Sequence, residues 1–310
     1  MDIPVYLITG FLDAGKTDFI NGILKDGFAA EDRTLLLCCE EGETEYDPKS
    51  LFNVFTYTVD DPAQLTPEFF KKLEKQYRPK QVIIEFNGMW SFEPLYREGL
   101  PANWILYQIM CLVDATTFEP YLRNMGQLMM EKILNADMII FNRCDGIEDL
   151  NTYKRNVKAL NQTAEIIFED QDGEIDEIME EDLPYDLKAD KIVLDDNTYG
   201  IWYLDIQEHP ERYLNKTVTM KVQAMTSSKL PKGTFIPGRN AMTCCVEDIR
   251  FFGFLCKYDR AKSLKKGQWV TVTARIQWED APVYDGEGVV LYAQSVEPAD
   301  RPEDPLVYFR

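Results

Sequence analysis

The 310-residue sequence predicts an α/β first half, a mostly parallel sheet with helices on both faces, followed by an all-β second half. Three observations predict it. Apolar strand-like runs alternate with helical stretches as far as residue 168. A loop ending Gly15-Lys16-Thr17 stands between the first strand and the first helix. After residue 195 the pattern changes to short alternating strands broken by glycine, proline and charged turns.

Each element has its own signal. Ile3–Thr9 is apolar and partly β-branched, and Thr17–Lys25 has helical spacing. Thr34–Cys39 and Asn53–Val59 read as the next two strands. Pro67–Tyr77 is a charged, amphipathic helix, with Pro67 suited to a first turn. Gln81–Phe86 and Ile105–Val113 are buried strands, and a helix around Phe118–Leu134 precedes the strand Met138–Asn142. Lys154–Leu160 and Ala164–Phe168 close the alternating series. Strands apolar throughout indicate a sheet covered on both faces. In the second half, strands are expected at Thr198–Leu204, Thr217–Met225, Ala241–Cys245, Phe251–Tyr258, Trp269–Ile276 and Val289–Val296, at barrel or sandwich spacing.

The charge is −20, unevenly spread. Residues 1–168 carry 26 acids and 16 bases, residues 169–197 carry 13 and two, and residues 198–310 carry 14 and 15. The expected divisions are therefore 1–168, an acidic tail and linker at 169–197 with one short helix at Glu174–Glu181, and 198–310. Such acidity argues against a nucleic-acid or anionic-membrane binder. No apolar run has membrane-spanning length, so an integral membrane protein is not expected. The start MDIPVYLITG lacks a basic stretch, which reads as no signal peptide and a cytoplasmic location. Seven cysteines with two adjacent pairs make a poor disulfide framework, and His209 is the one histidine. Any metal site must rely on thiolates and carboxylates.

The strongest chemical signal is Gly10-Phe-Leu-Asp13-Ala14-Gly15-Lys16-Thr17, a G-x-x-x-x-G-K-[ST] loop. Backbone N–H groups there can surround phosphates, with positive potential from the helix N-terminus. Lys16 would reach the β- and γ-phosphates, and the Thr17 hydroxyl would complete a Mg²⁺ shell. Glu85, leaving a buried strand three positions before Gly88, is the second element: its carboxylate can hold Mg²⁺ while the Gly88 amide approaches the γ-phosphate. The third is Asn142-Arg143-Cys144-Asp145 after a strand, similar to the guanine-reading N-K-x-D motif. An aspartate there accepts two hydrogen bonds that adenine cannot offer.

Together these segments resemble the CobW-type metal-handling GTPases, relatives of the urease and hydrogenase nickel-insertion GTPases. GFLDAGKT is similar to that family's GFLGAGKT, residues 39–43 to its N-E-F-G-E, and residues 85–88 to its E-T-[ST]-G. Val113-Asp114-Ala115 resembles its V-D-A, and 136–145 its A-D-x-x-x-x-N-K-x-D. The resemblance covers residues 3–168 and implies a P-loop GTPase sheet. It implies GTP and Mg²⁺ as ligands, Glu40 and Glu85 as switch or metal-linked acids, and Asn142 and Asp145 as guanine readers. Asp13 replaces a loop glycine, Asp18 a threonine and Arg143 the guanine-site lysine. The family's C-x-C-C metal motif is absent between Glu43 and Gln81. Two carboxylates beside a triphosphate are unfavourable unless they point to solvent or bind Mg²⁺.

Cys38 and Cys39, at the end of the second strand, are candidate thiolate ligands set against a reading as small buried residues. Along a strand, at most one faces the nucleotide side. The second half resembles an uncharacterised bacterial domain, OB-like, that accompanies metal-transport permeases, with a Thr-Cys-Cys core at 243–245. Cys244 and Cys245 with Asp248 could form a partial thiolate–carboxylate site, of the kind zinc takes, given a further ligand.

The expectation is a GTPase domain joined to an OB-like barrel. It would hydrolyse GTP slowly and gate a partner, such as a metal-recipient protein or a permease, or a second copy as homodimer. Lys16, Glu40 and Glu85 would carry the chemistry. Gly10, Asp13, Ala14, Gly15, Thr17, Asp18, Gly88, Asn142, Arg143 and Asp145 would bind the nucleotide. The alternatives are a non-hydrolysing nucleotide-binding scaffold and an ATP-using P-loop enzyme.

Overall fold

The computed structural model describes residues 2–307 other than 41, 43–44, 47–50, 148, 176–182, 243–248 and 285. The chain divides into two compact units, 1–150 with 160–178, and 151–159 with 179–310.

In the first unit the strands are β1 (Ile3–Thr9), β2 (Thr34–Cys38), β3 (Val54–Thr58), β4 (Gln81–Glu85), β5 (Trp104–Asp114), β6 (Met138–Asn142), β7 (Glu165–Asp170) and β8 (Gly173–Glu174). They form one sheet in the order β3-β2-β4-β1-β5-β6-β7-β8, parallel except for the β7–β8 hairpin. The helices are α1 (Lys16–Lys25), α2 (Pro67–Tyr77), α3 (Glu93–Glu98), α4 (Phe118–Asn124) and α5 (Gly126–Asn135). The chain from β6 to β7 runs through α6 (Leu150–Leu160). Strand alternation covers both faces. Ile8, Leu36, Ile83 and Met110 pack with Ile20 and Leu24 of α1, whereas Leu7, Ile84 and Ile109 line a small apolar cavity with Leu95 of α3. Helix α2 starts as its sequence dictates: Thr66 Oγ1 accepts from the Phe69 amide at 3.3 Å, ahead of Pro67 at the first turn.

In the second unit five strands close on themselves: β10 (Thr217–Met225), β11 (Thr234–Met242), β13 (Leu255–Lys257), β15 (Gly286–Pro298) and β14 (Gln268–Ala281), with β10 pairing back to β11. Strands β9 (Lys191–Val193), β12 (Ile249–Gly253) and β16 (Leu306–Val307) attach to β10 and β11. The barrel interior follows the period of two, with Val218, Met220, Val222 and Ala224 facing Val270, Val272, Ala274 and Ile276. An α/β first half and an all-β barrel are thus what the fold contains.

The structure corrects several boundaries. Residues 198–204 are not a strand: Tyr199–Glu208 is helix α7, with Tyr199, Trp202, Tyr203 and Ile206 buried at helical spacing. The expected helix at 118–134 is two, broken at Met125. The single strand expected at 251–258 is β12 and β13. At 174 there is strand, and most of the short helix expected at 174–181 lies outside the described residues.

Candidate nucleotide-binding site

Strand β1 ends at Thr9 and α1 begins at Lys16, so the loop 10–15 must turn sharply at the C-terminal edge of the sheet. Gly10 (φ 145°), Asp13 (φ 61°) and Gly15 (φ 87°) make that turn in backbone regions open mainly to glycine. A Cβ on Gly10 would lie 2.3 Å from Leu112 O, so the loop needs glycine for space as well. Lys16 is buried. Its Nζ donates to Gly10 O at 2.8 Å and Phe11 O at 2.9 Å, and pairs with Glu40 Oε2 at 2.5 Å. Asp13 and Asp18 are exposed, and Asp18 occupies the first turn of α1, where the helix dipole favours a carboxylate. Both also line the cavity beside Lys16, so their charge borders the space a triphosphate would take.

Parallel pairing of Ile8 with Glu85 brings the end of β4 alongside this loop. Glu85 is 3% exposed; its Oε1 accepts from Thr17 Oγ1 at 2.6 Å and its Oε2 from the Tyr46 hydroxyl at 2.6 Å. Gly88 packs so closely that a Cβ would lie 2.1 Å from Gly10 O. Leu12, Asp13, Gly15, Lys16, Glu40 and Glu85 are among the residues lining a cavity of about 240 Å³.

An adjoining cleft of about 440 Å³ is lined by Asn142, Arg143, Asp145 and by Glu169, Asp170 and Gln171 at the end of β7. Gly15, Asp18 and Arg143 border both spaces. Asn142 Nδ2 donates to Ala14 O at 2.8 Å, while its Oδ1 is buried without a partner. Arg143, at φ 54°, donates to Asp13 O at 2.8 Å and is ion-paired with Asp114. Burial opposes ionisation of Asp114, but bonds from Thr116 and Arg143 hold its carboxyl below the usual range. Asp145 is exposed, and its Oδ1 accepts from the Gln171 amide at 3.4 Å. The orphaned Asn142 oxygen, on a residue lining the second cleft, fits a bound ligand better than a packed loop, which would satisfy it; at Gly10 and Gly88 protein backbone already fills the space.

The structure brings the three motifs to one edge of the sheet. Sequence reasoning missed Tyr46, the Arg143–Asp114 pair and the β7 wall of the second cleft. Asp114 lay within a quoted motif, but no role followed from it; Tyr46 carries no motif at all.

The cysteines are placed differently. Cys38 pairs in register with Glu85 and so shares its sheet face, while Cys39 is buried. Burial, with Glu85 nearby, pushes the Cys38 thiol up to about 12; burial also raises Cys39. Cys244 and Cys245 lie outside the described residues. Among the described residues no three His, Cys, Asp or Glu side chains group as a metal cluster. Nor is any described helix long and apolar enough to cross a membrane.

Comparison with known proteins finds the following likenesses. Zinc-regulated GTPase metalloprotein activator 1 of Schizosaccharomyces pombe is 27% identical over 206 residues, covering 57% of this chain and 48% of that protein. Zinc chaperone CobW of Sinorhizobium sp. is 34% identical over 108 residues, 30% of each. The chain thus spans less than half the length of these curated relatives. Among solved structures, Zn(II)-bound YjiA GTPase from E. coli has a TM-score of 0.46 at 18% identity over 74% of each chain. Hydrogenase maturation factor HypB from Archaeoglobus fulgidus has a TM-score of 0.40 at 18% identity, over 55% of this chain and 82% of that one. Residues 170–309 match the DUF1980 C-terminal domain. Residues 4–168, more than half of the chain, match the CobW/HypB/UreG nucleotide-binding domain, and the protein belongs to that family.

Proposed function

We propose that this chain binds GTP and hydrolyses it slowly, using the nucleotide state to control metal delivery to a recipient protein or permease. The observation that supports this best is the continuity of the two spaces. A polyphosphate cradle built on Lys16 and Thr17 shares Gly15, Asp18 and Arg143 with a cleft bearing Asn142 and Asp145. In that arrangement the loop amides and Lys16 bind phosphate oxygens, and Glu40 leaves Lys16 as they arrive. Asp145 accepts from a guanine edge, and the flat Arg143 guanidinium covers the base. Thr17 and Glu85 would hold Mg²⁺, which when bound neutralises charge on the β- and γ-phosphates. A metal-handling role draws on the zinc named in both curated relatives.

A second reading, a nucleotide-binding scaffold without turnover, draws on the Lys16–Glu40 pair: an acid held on the P-loop lysine is not orienting water. Titration with mant-GTP and Mg²⁺, followed by phosphate release, decides between them. Binding with turnover is expected. Binding without turnover favours the scaffold, and ATP outcompeting GTP removes the guanine assignment.

A further inference from the structure

Tyr46 lies between β2 and β3, and its hydroxyl donates to Glu85 Oε2 at 2.6 Å. The other carboxylate oxygen, Oε1, accepts from Thr17 Oγ1 at 2.6 Å. Glu85 is 3% exposed, so water is no ready substitute for either donor. Two hydroxyls on opposite oxygens fix the plane of the carboxyl group, because turning its terminal torsion misaligns both bonds at once. The third neighbour is the Cys38 thiol, which touches the same phenol. A threonine hydroxyl that donates its proton to Glu85 keeps its oxygen lone pairs for another ligand.

We propose that Tyr46 is a positioning residue for divalent-cation binding: by holding Glu85 Oε2 it keeps Oε1 on the Thr17 hydroxyl and leaves the threonine oxygen directed as a ligand. This rests on the Mg²⁺–GTP reading above. The phenol acts through the carboxylate and touches neither nucleotide nor cation, so its effect appears in the Mg²⁺ dependence of binding. Nucleotide affinity without Mg²⁺ is unchanged.

The test is the affinity for mant-GDP across a Mg²⁺ series, and in EDTA, for wild type, Tyr46→Phe, Glu85→Gln and the double variant. Phenylalanine keeps the ring and removes the one donor. The expected result is a rise of about tenfold in the Mg²⁺ needed for half-maximal effect, with unchanged affinity in EDTA. In the Glu85→Gln background the Tyr46 substitution has a smaller effect, since the amide oxygen is a weaker acceptor than the carboxylate. A Tyr46→Phe variant with the wild-type Mg²⁺ profile overturns the proposal, as does a shift that persists undiminished in the Glu85→Gln background. Wild-type binding that is indifferent to Mg²⁺ overturns it alone. Failure of the wild type to bind mant-GDP at all overturns it together with the GTP reading.

Discussion

A methyl group on Gly88 would sit 2.1 Å from Gly10 O and 2.7 Å from Phe11 Cα, both backbone atoms that cannot swing aside. Gly88→Ala is therefore expected to push β4's exit away from the phosphate loop and lower stability by about 1–3 kcal/mol. A urea midpoint equal to wild type would show that the two segments are not in contact. Asp145→Asn should reduce the preference for GTP over ATP by at least about tenfold, read by competition against mant-GTP, because the guanine donors lose their shared acceptor. The same scale shows what was legible. Gly10, Lys16 and Thr17 could be read because their chemistry is contiguous in the chain. Tyr46 and Asp114 reach their partners across 39 and 29 positions: β5–β6 register sets Asp114 opposite Asn142, next to Arg143, whereas Tyr46 comes from the segment between β2 and β3. Asp13 and Asp18 read as liabilities from their letters alone; both are exposed, and both line the cavity beside Lys16.

Among elements, α5 has a role that its amphipathic pattern does not announce. Lys132 is 1% exposed, donates to Trp90 O, and stands 4.3 Å from the Phe92 ring centroid and 5.4 Å from that of Phe86. Burial pulls its ammonium below the usual lysine range, while Glu131 opposes the shift. Glu131 Oε1 accepts from Ser91 Oγ at 2.8 Å and the Phe92 amide at 2.9 Å. The segment leaving Gly88 is thus fastened to α5 by a side-chain pair. Lys132→Met keeps the apolar stem and removes the donor, leaving Trp90 O unpaired. Faster hydrogen exchange across residues 88–92 and a lower melting temperature are expected; exchange unchanged there would count against the fastening. The elements most misread were aromatic. Tyr199–Glu208 has the residue types of a strand, yet its buried positions recur every three or four residues, and tertiary burial decided the matter. β12 ends at Gly253, where a Cβ would meet Pro237 O at 2.4 Å, and β13 starts beyond Phe254, a break that alternation alone does not signal.

For the whole chain, the two units share a response to alkali. Burial pushes the thiols of Cys111 in the sheet and Cys256 in the barrel from 9.0 up to about 12. The unfolded chain releases these protons near 9 and the folded chain does not, so stability falls as pH rises from about 9 toward 12. Urea midpoints at pH 8 and 10.5 should show the fall, and Cys256→Ala should make it shallower; an equally steep fall in the variant would remove the thiol as a cause. Charge works at this scale too. The net −20 repels anions at long range, and close in, the Lys16 ammonium already has a carboxylate neighbour in Glu40. Any incoming anion must evict that built-in rival. A lone phosphate or a monophosphate gains too few contacts to do so, whereas a polyphosphate chain spanning the whole loop gains many. On the proposed GTP reading, the Lys16–Glu40 pair would thus act as a threshold that a polyphosphate crosses more readily than a small anion.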